Sequence, residues 1–510
     1  MRNRHFGRIL KKGRILFSAV IAVAVLDFTA MPVLAAKHEV TDMTITDAVE
    51  DELLMDKAVP SYRIDVTTDD GIVTLSGSVD NILAKERAAR IARIVKGVRA
   101  VVNEIKVVPP ILYTDQQLRE DVQDALLTDP ATDLYDIDVT VERNVVTLTG
   151  TVDSWGEKRL CETVVKGVRG VVGVNNKIVV SWPKKRPDYE IKAEVEKTLK
   201  WDVFVDNALI DVKVKDGKVI LSGTVGSAAE KNCAFIDAYV NGVKFVDVSG
   251  LHVERWARDK DLKGEKYARR SAKEIGGAVK DALLYDPRVF SFEVTPEVAD
   301  DGTTVILRGT VDNLKAKRAA AQDARNTVGV LWVENRIKVR PAQQPSDQKI
   351  EEKIRRALKR DPYVESYEIT VDVINGVASL NGIVDSYFEK FQADDVASRV
   401  NGVIMVDNNL IVQDDYYVPY KPYVDDWYWH DHRHLDRPRF PAKSDGQIKD
   451  DIEDEYFWSP FVDADDVNVT VDDGVATLTG TVDSWSEYNA AVNNAYEGGA
   501  VYVDNELLVK

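Results

Sequence analysis

His430, His432 and His434 fall within five residues of one another, beside Asp431 and Asp436, in the stretch DDYYVPYKPYVDDWYWHDHRHLDRPRFPAK. Neutral imidazole ligates zinc or copper, which makes these three the candidate metal ligands of the sequence. Alternation along an extended segment puts the rings on one face without making them converge, and no HxxxH helix is evident. The stretch reads better as an ordered linker whose Tyr416, Tyr417, Tyr420, Tyr423, Trp427, Tyr428 and Trp429 pack over neighbouring units. Trp427, Tyr428 and Trp429 are also candidates for a partner surface, because each joins an apolar body to a polar tip. No metal or other cofactor is expected.

Catalysis finds little else to draw on. The chain has six histidines and no GxSxG, HExxH or CxxC motif. Its glycines form neither GxGxxG nor GxxxxGK[ST]. Carboxylates are plentiful, yet those in the phrases VDS and VDN recur at one position along the chain, as capping groups would. An enzyme is not expected. Cys161 and Cys233 are the only cysteines; after export they could join neighbouring units, but two small buried side chains is the preferred reading.

What positions these residues is a repeat. NVVTLTGTVDSW from Asn144 recurs as GVATLTGTVDSW from Gly474, and weaker copies begin at Gly71, Gly217, Gly302 and Gly376. The second glycine of each copy is Gly77, Gly150, Gly223, Gly309, Gly382 or Gly480. A second phrase follows at near-constant spacing, as in GVRAVVN from Gly97 and GVIMVDN from Gly402. Six copies of one unit of about seventy residues result, and regular self-similarity of this kind marks a tandem-repeat protein. Each copy opens with apolar residues three and four apart, the period of a helix. An alternating run follows, split by Gly, Asn-Gly or Asp-Gly as in a tight hairpin. Ser154 with Glu157, Ser227 with Glu230, Ser386 with Glu389 and Ser484 with Glu487 then form capping boxes that start a second helix. That helix should end at the glycine of the second phrase, and a short strand closes the unit.

The expected fold class is therefore α+β: a tandem array of six small αββαβ domains, each a three-stranded mixed sheet covered by two helices. The domains are placed at residues 41–110, 114–182, 187–256, 269–341, 346–414 and 444–510, with the aromatic and His-rich linker at 415–443. The second glycine should let backbone approach closely where the second strand ends.

Residues 1–36 stand apart. Six basic residues precede the apolar run Ile15–Leu26 and the small residues of MPVLAA, the order of a secretory signal cut near Ala35 or Ala36. Export to the periplasm is expected. Removing the segment takes away six positive charges and one negative, so the net charge goes from −18 to −23. So acidic a chain is not expected to bind nucleic acid.

With its G-[VIK]-V-x-L-x-G-x-V hairpin and G-V-x-x-V-x-N close, each unit resembles a BON domain, the bacterial osmotic-stress and nodulation module. Ala500 replaces the usual Val in the sixth copy, and the fourth has one extra hairpin residue. The resemblance implies a non-enzymatic envelope protein that associates with phospholipid and supports osmotic integrity. The alternative is a structural scaffold binding envelope proteins or cell-wall material. For anionic lipid the candidate contacts are Arg87, Arg90, Arg93, Lys96 and Arg99 on one helix and Lys315, Lys317 and Arg318 on its counterpart. The aromatic helix start at Tyr387 and Phe388 is a further possible contact. Oligomeric state cannot be read from the sequence.

Overall fold

In the first domain, helix α1 (Asp42–Met55) buries Ile45, Val49 and Leu53, four residues apart, so one stripe faces inward. Strands β1 (Ile64–Asp69) and β2 (Ile72–Val79) form an antiparallel hairpin with Val66 opposite Leu75. Its turn, Asp70 and Gly71, lies at positive φ. Helix α2 (Ile82–Ile94) crosses back, and β3 (Ala100–Asn103) and β4 (Lys106–Val107) pair parallel to β2. β2 is thus the central strand, and its Val73, Leu75 and Val79 meet the helices in the core.

The computed structural model carries this unit six times. It describes residues 39–132, 136–182, 186–258, 262–264, 266, 268–289, 293–341, 343–413, 421, 423–425 and 443–509. The second domain runs α3 (Asp115–Thr128), β5 (Ile137–Glu142), β6 (Val145–Val152), α4 (Trp155–Lys166), β7 (Gly173–Asn176) and β8 (Val179–Val180). The third runs α5 (Asp188–Trp201), β9 (Ile210–Lys215), β10 (Lys218–Val225), α6 (Ala228–Asp237) and β11 (Phe245–Val253). The fourth runs α7 (Ala272–Tyr285), β12 (Val294–Val298), β13 (Thr304–Val311), α8 (Leu314–Arg325), β14 (Trp332–Asn335) and β15 (Lys338–Val339). The fifth is α9 (Asp347–Arg360), β16 (Ile369–Ile374), β17 (Val377–Val384), α10 (Tyr387–Ser398) and β18 (Met405–Val412). The sixth is α11 (Asp445–Trp458), β19 (Val467–Asp472), β20 (Val475–Val482), α12 (Trp485–Glu497) and β21 (Tyr502–Val509). Every sheet is mixed, an antiparallel hairpin with a parallel third strand, and the six remain separate.

The second glycines behave as expected. Gly77, Gly223, Gly309, Gly382 and Gly480 have positive φ, and a Cβ on each would overlap the carbonyl oxygen just before the first strand, Glu293 O in the case of Gly309. The second helix departs from expectation. It stops two to five residues before the closing glycine, at Ile94 before Gly97 and at Asp237 before Gly242. The glycine instead turns the connection into the third strand, where a side chain at Gly97 or Gly402 would strike Ile45 or Ile350 of the first helix.

Val40–Lys510 gather into one compact unit. Packing between domains runs through the helices: α2 meets α6, α3 meets α9, and α8 meets α10. Helix α10 is buried from Tyr387 to Ser398 at every position except Lys390. The secretory signal, the candidate metal ligands His430, His432 and His434, and the partner-surface candidates Trp427, Tyr428 and Trp429 lie outside the described residues.

Candidate functional site

The polar groups that repeat from domain to domain are engaged in holding the backbone. Asp42, Asp115, Asp188, Asp347 and Asp445, at the start of the first helix, each accept two backbone N–H bonds from the hairpin turn, as Asp42 does from Asp70 and Gly71 at 2.9 Å. The fourth domain has Ala272 there, and it is the one whose hairpin is longer. The side-chain oxygens of Ser154, Ser227, Ser386 and Ser484 cap their helices as expected. The expected capping box closes only where Glu157 accepts from Ser154 N–H; the other three glutamates accept from the residue before the cap and from the loop after the first helix instead. Glu230 accepts from Gly226 N–H and from Asp206 N–H, and Glu389 and Glu487 repeat the pattern, tying the second helix to the loop after the first. Burial first, then Asp206, pushes the Glu230 carboxyl up to about 8.

Where domains meet, one contact occurs three times. The N–H before the closing glycine donates to the last carbonyl of a first helix in another domain: Lys96 to Trp458 O (3.2 Å), Arg169 to Arg360 O (2.7 Å) and Val328 to Trp201 O (2.9 Å). Domains one and six, two and five, and four and three are paired this way. The carbonyls just past each recipient helix would be orphaned, and a cation fits a helix C-terminus. Each is met by a basic side chain. Arg169 donates to Asp361 O and Val364 O, Arg258 to Ser459 O and Val462 O, and Lys266 to Asp202 O.

The eight lipid-contact candidates divide accordingly. Arg87 is a correction: its side chain is 4% exposed, its Nε donates to Asp56 at 2.9 Å, and its Nη1 donates to Asp425 at 2.6 Å. Its guanidinium also lies 4.9 Å over the Phe388 ring. Burial opposes its charge, but Asp425 and Asp56 outweigh that and raise its pKa. Lys315 and Arg318 are corrected for the same reason, being buried against Asp395 and Asp394 of α10. Burial pushes the Lys315 ammonium down to about 8. It also works against the Asp395 charge, yet Arg399 and Lys315 hold that carboxyl well below the usual range. Lys96 sits 3.8 Å over the Phe457 ring of the sixth domain, its ammonium lowered to about 8 by burial and then by Arg258. Arg90, Arg93 and Lys317 are half-buried. Arg99 pairs with Asp70 at 2.7 Å and stays largely in water. Tyr387 and Phe388 are buried with Ala58 of the first domain, so they form no exposed aromatic contact. Sequence periodicity identified the polar face of each helix, but a second domain covers that face, and only non-local packing determines this.

Part of the linker is described. Tyr423 stacks on Phe461 at 4.6 Å and donates to Phe204 O at 2.8 Å, and Lys421 pairs with Glu52 and Glu497. Cys161 and Cys233 are free thiols; burial pushes the Cys161 thiol up to about 12. Among the described residues, no group of three or more His, Cys, Asp or Glu could hold a metal ion. No described helix is long and apolar enough to cross a membrane.

Six αββαβ bodies joined through their helices define a tandem-repeat α+β protein. The profile of the BON domain matches residues 41–109, 114–181, 187–255, 271–341, 346–414 and 444–510, and the chain belongs to that family. It is 31% identical over 142 residues to osmotically-inducible protein Y of Escherichia coli (strain K12), an alignment covering 27% of this chain and 70% of that protein. Among solved structures it is similar to CdsD, a structural protein of the type III secretion system of Chlamydia trachomatis. The identity there is 13% and the TM-score 0.12, covering 41% of this chain and 91% of that one. The C-terminal domain of CdsD matches at the same identity and TM-score over 42% of this chain and the whole of that chain.

Proposed function

We propose that this protein is an exported, non-enzymatic binding protein of the bacterial envelope that supports envelope integrity under osmotic stress. The observation that carries the reading is the use of every recurrent polar group, Asp42, Ser154, Glu230 and their counterparts, as a backbone anchor rather than as an accessible reactive centre. The likeness to osmotically-inducible protein Y supports the osmotic association. Binding then falls to what the helices leave uncovered, the open sheet faces and their edges, where Thr67 lies opposite Thr74, Thr140 opposite Thr147 and Thr470 opposite Thr477. These hydroxyl pairs stand among exposed carboxylates on the same face, Asp65 and Asp69, Asp138 and Glu142, and Asp472, and such a face suits envelope protein or cell-wall material that brings hydrogen-bond donors. This is the scaffold reading.

Association with anionic phospholipid is the second reading, favoured by the cations that stay in water or half-buried, Arg99, Arg90, Arg93 and Lys317. A mature charge of −23 works against it. Flotation with anionic and with zwitterionic vesicles at low and high salt separates the two. Salt-reversible flotation with anionic vesicles alone supports lipid binding. Absence of flotation at low salt, together with sedimentation on isolated cell-wall material, supports the scaffold.

A further inference from the structure

Strand β18 (Met405–Val412) is a sheet edge: it pairs with β17 on one side and with no other described strand on the other. Every second backbone N–H and C=O along that free side is open to an outside partner, and natural sheets blunt such edges by shortening, bulging or charging them. Four of the six domains do so. The closing strand is split in two in the first, second and fourth domains, and in the third the pairing of β10 with β11 shifts register between Ile220 and Ser222. β18 runs unbroken for eight residues. Among the described closing strands, β21 alone matches it.

The open face beside β18 is apolar at both ends. Ile374, Val377 and Met405 lie in one cross-strand row, and Ile383 lies beside Ile411 in another. Ile374, Ile383, Met405 and Ile411 are 48–70% exposed. Between these rows lie Asp407, opposite Ser379, and Asn409, opposite Asn381. That order is its own complement. An antiparallel copy of β18 placed across a two-fold axis at Asn408 sets Met405 against the partner's Ile411 and Asp407 against the partner's Asn409, an amide that can donate to it. Each apolar row then continues across the axis. On β21 the same placement at Asn505 sets Asp504 against the partner's Glu506, and moving the axis to Asp504 or Glu506 sets that carboxylate against its own copy. Like charges directly opposite are destabilising, so charge separates the two unbroken edges and selects β18.

We propose that a second copy of this chain docks on β18, joining two three-stranded sheets edge to edge into one sheet of six strands. Such a contact is isologous and closes on itself, giving dimers and not fibres. It does not rest on the envelope-binding reading, since the other five domains keep their open faces. One strand edge buries less than the roughly 800 Å² per partner of a standard interface, so the dimer is weak and concentration-dependent. The test is sedimentation velocity of the signal-free chain from about 1 to 100 µM in about 150 mM NaCl, where repulsion between two acidic chains is screened. The mass should rise from one chain toward two. Met405→Lys/Ile411→Lys sets lysine against lysine and should weaken the dimer at least about tenfold, and mixing it with Met405→Glu/Ile411→Glu should restore a mixed dimer. Asp407→Asn should tighten association, because the two Asp407 carboxylates lie diagonally across the axis, about 7–8 Å apart. Tyr502→Lys/Leu508→Lys on β21 should leave it unchanged. A monomer at the highest concentration, association beyond two chains, a dimer unmoved by the β18 lysines, or one lost with the β21 lysines would overturn the proposal.

Discussion

A methyl group at Gly309 has nowhere to go. Its φ is +126° and the added carbon would overlap the Glu293 carbonyl, whereas Gly277 in the same domain lies in α7 with open space around it. Gly309→Ala is therefore expected to destabilise by more than about 1 kcal/mol, through strain and backbone displacement together. Gly277→Ala should stabilise by about 0.5–1 kcal/mol by restricting the unfolded chain and favouring helix. Urea unfolding of the two variants checks both signs. Glu230 gives a pH dependence. Its folded pKa is raised to about 8 by burial, so the stability it contributes is full below the unfolded value near 4.5 and is lost as pH rises through 8. Relative to wild type, Glu230→Gln should gain stability between pH 5.5 and 8.5; a constant difference across that range would refute the shift. The glycine, the serine and the glutamate were all legible from the repeat, since identical residue types recur at fixed spacing. The second anchor of Glu230, on Asp206 N–H, was not, because a backbone donor leaves no mark in a sequence.

At the scale of helices, periodicity showed which residues face the core and could not show what covers the opposite face. Ile45, Val49 and Leu53 were readable as a buried stripe, and their counterparts Ile350, Ile354 and Leu358 repeat it in the fifth domain. Arg87 on α2 looked equally clear as a solvent-facing cation. Yet Asp425, the residue that neutralises it, lies 338 positions along the chain. A clue was present in α10, where Asp394 and Asp395 sit side by side in a helix with aromatic and small residues on its other faces, so that no purely solvated face remains. Arg87→Met should destabilise by about 3–5 kcal/mol, because Asp56 and Asp425 would be left buried without a counter-ion. Arg99→Met, at an exposed pair, should change stability by no more than about 0.5 kcal/mol. Denaturant midpoints of the two variants measure the contrast. Equal small effects would return Arg87 to the surface and to the lipid-facing role.

For the molecule as a whole, repeat spacing does not distinguish a rod from loose beads. The difference lies in contacts between domains, two of which skip along the chain, pairing one with six and two with five, while the third joins the neighbours three and four. These contacts close by the same backbone bond but not by the same side chain. Arg169 completes its seam from within the second domain, while Arg258, located after the third domain, completes the seam between the first and the sixth. Burial lowers the pKa of Arg258, but Asp463 and Glu487 counter that and its hydrogen bonds go to Ser459 O and Val462 O, just past the helix end whose Trp458 O takes the Lys96 N–H. For about 470 residues in one compact body, small-angle scattering should give a radius of gyration of about 23 Å. Arg258→Ala should raise that value and make the sixth domain more susceptible to limited proteolysis, leaving the other five domains resistant. A wild-type radius approaching twice the compact value would mean that the seams do not hold in solution. An unchanged radius in Arg258→Ala would mean that Lys96, Tyr423 and Lys421 suffice to hold the sixth domain.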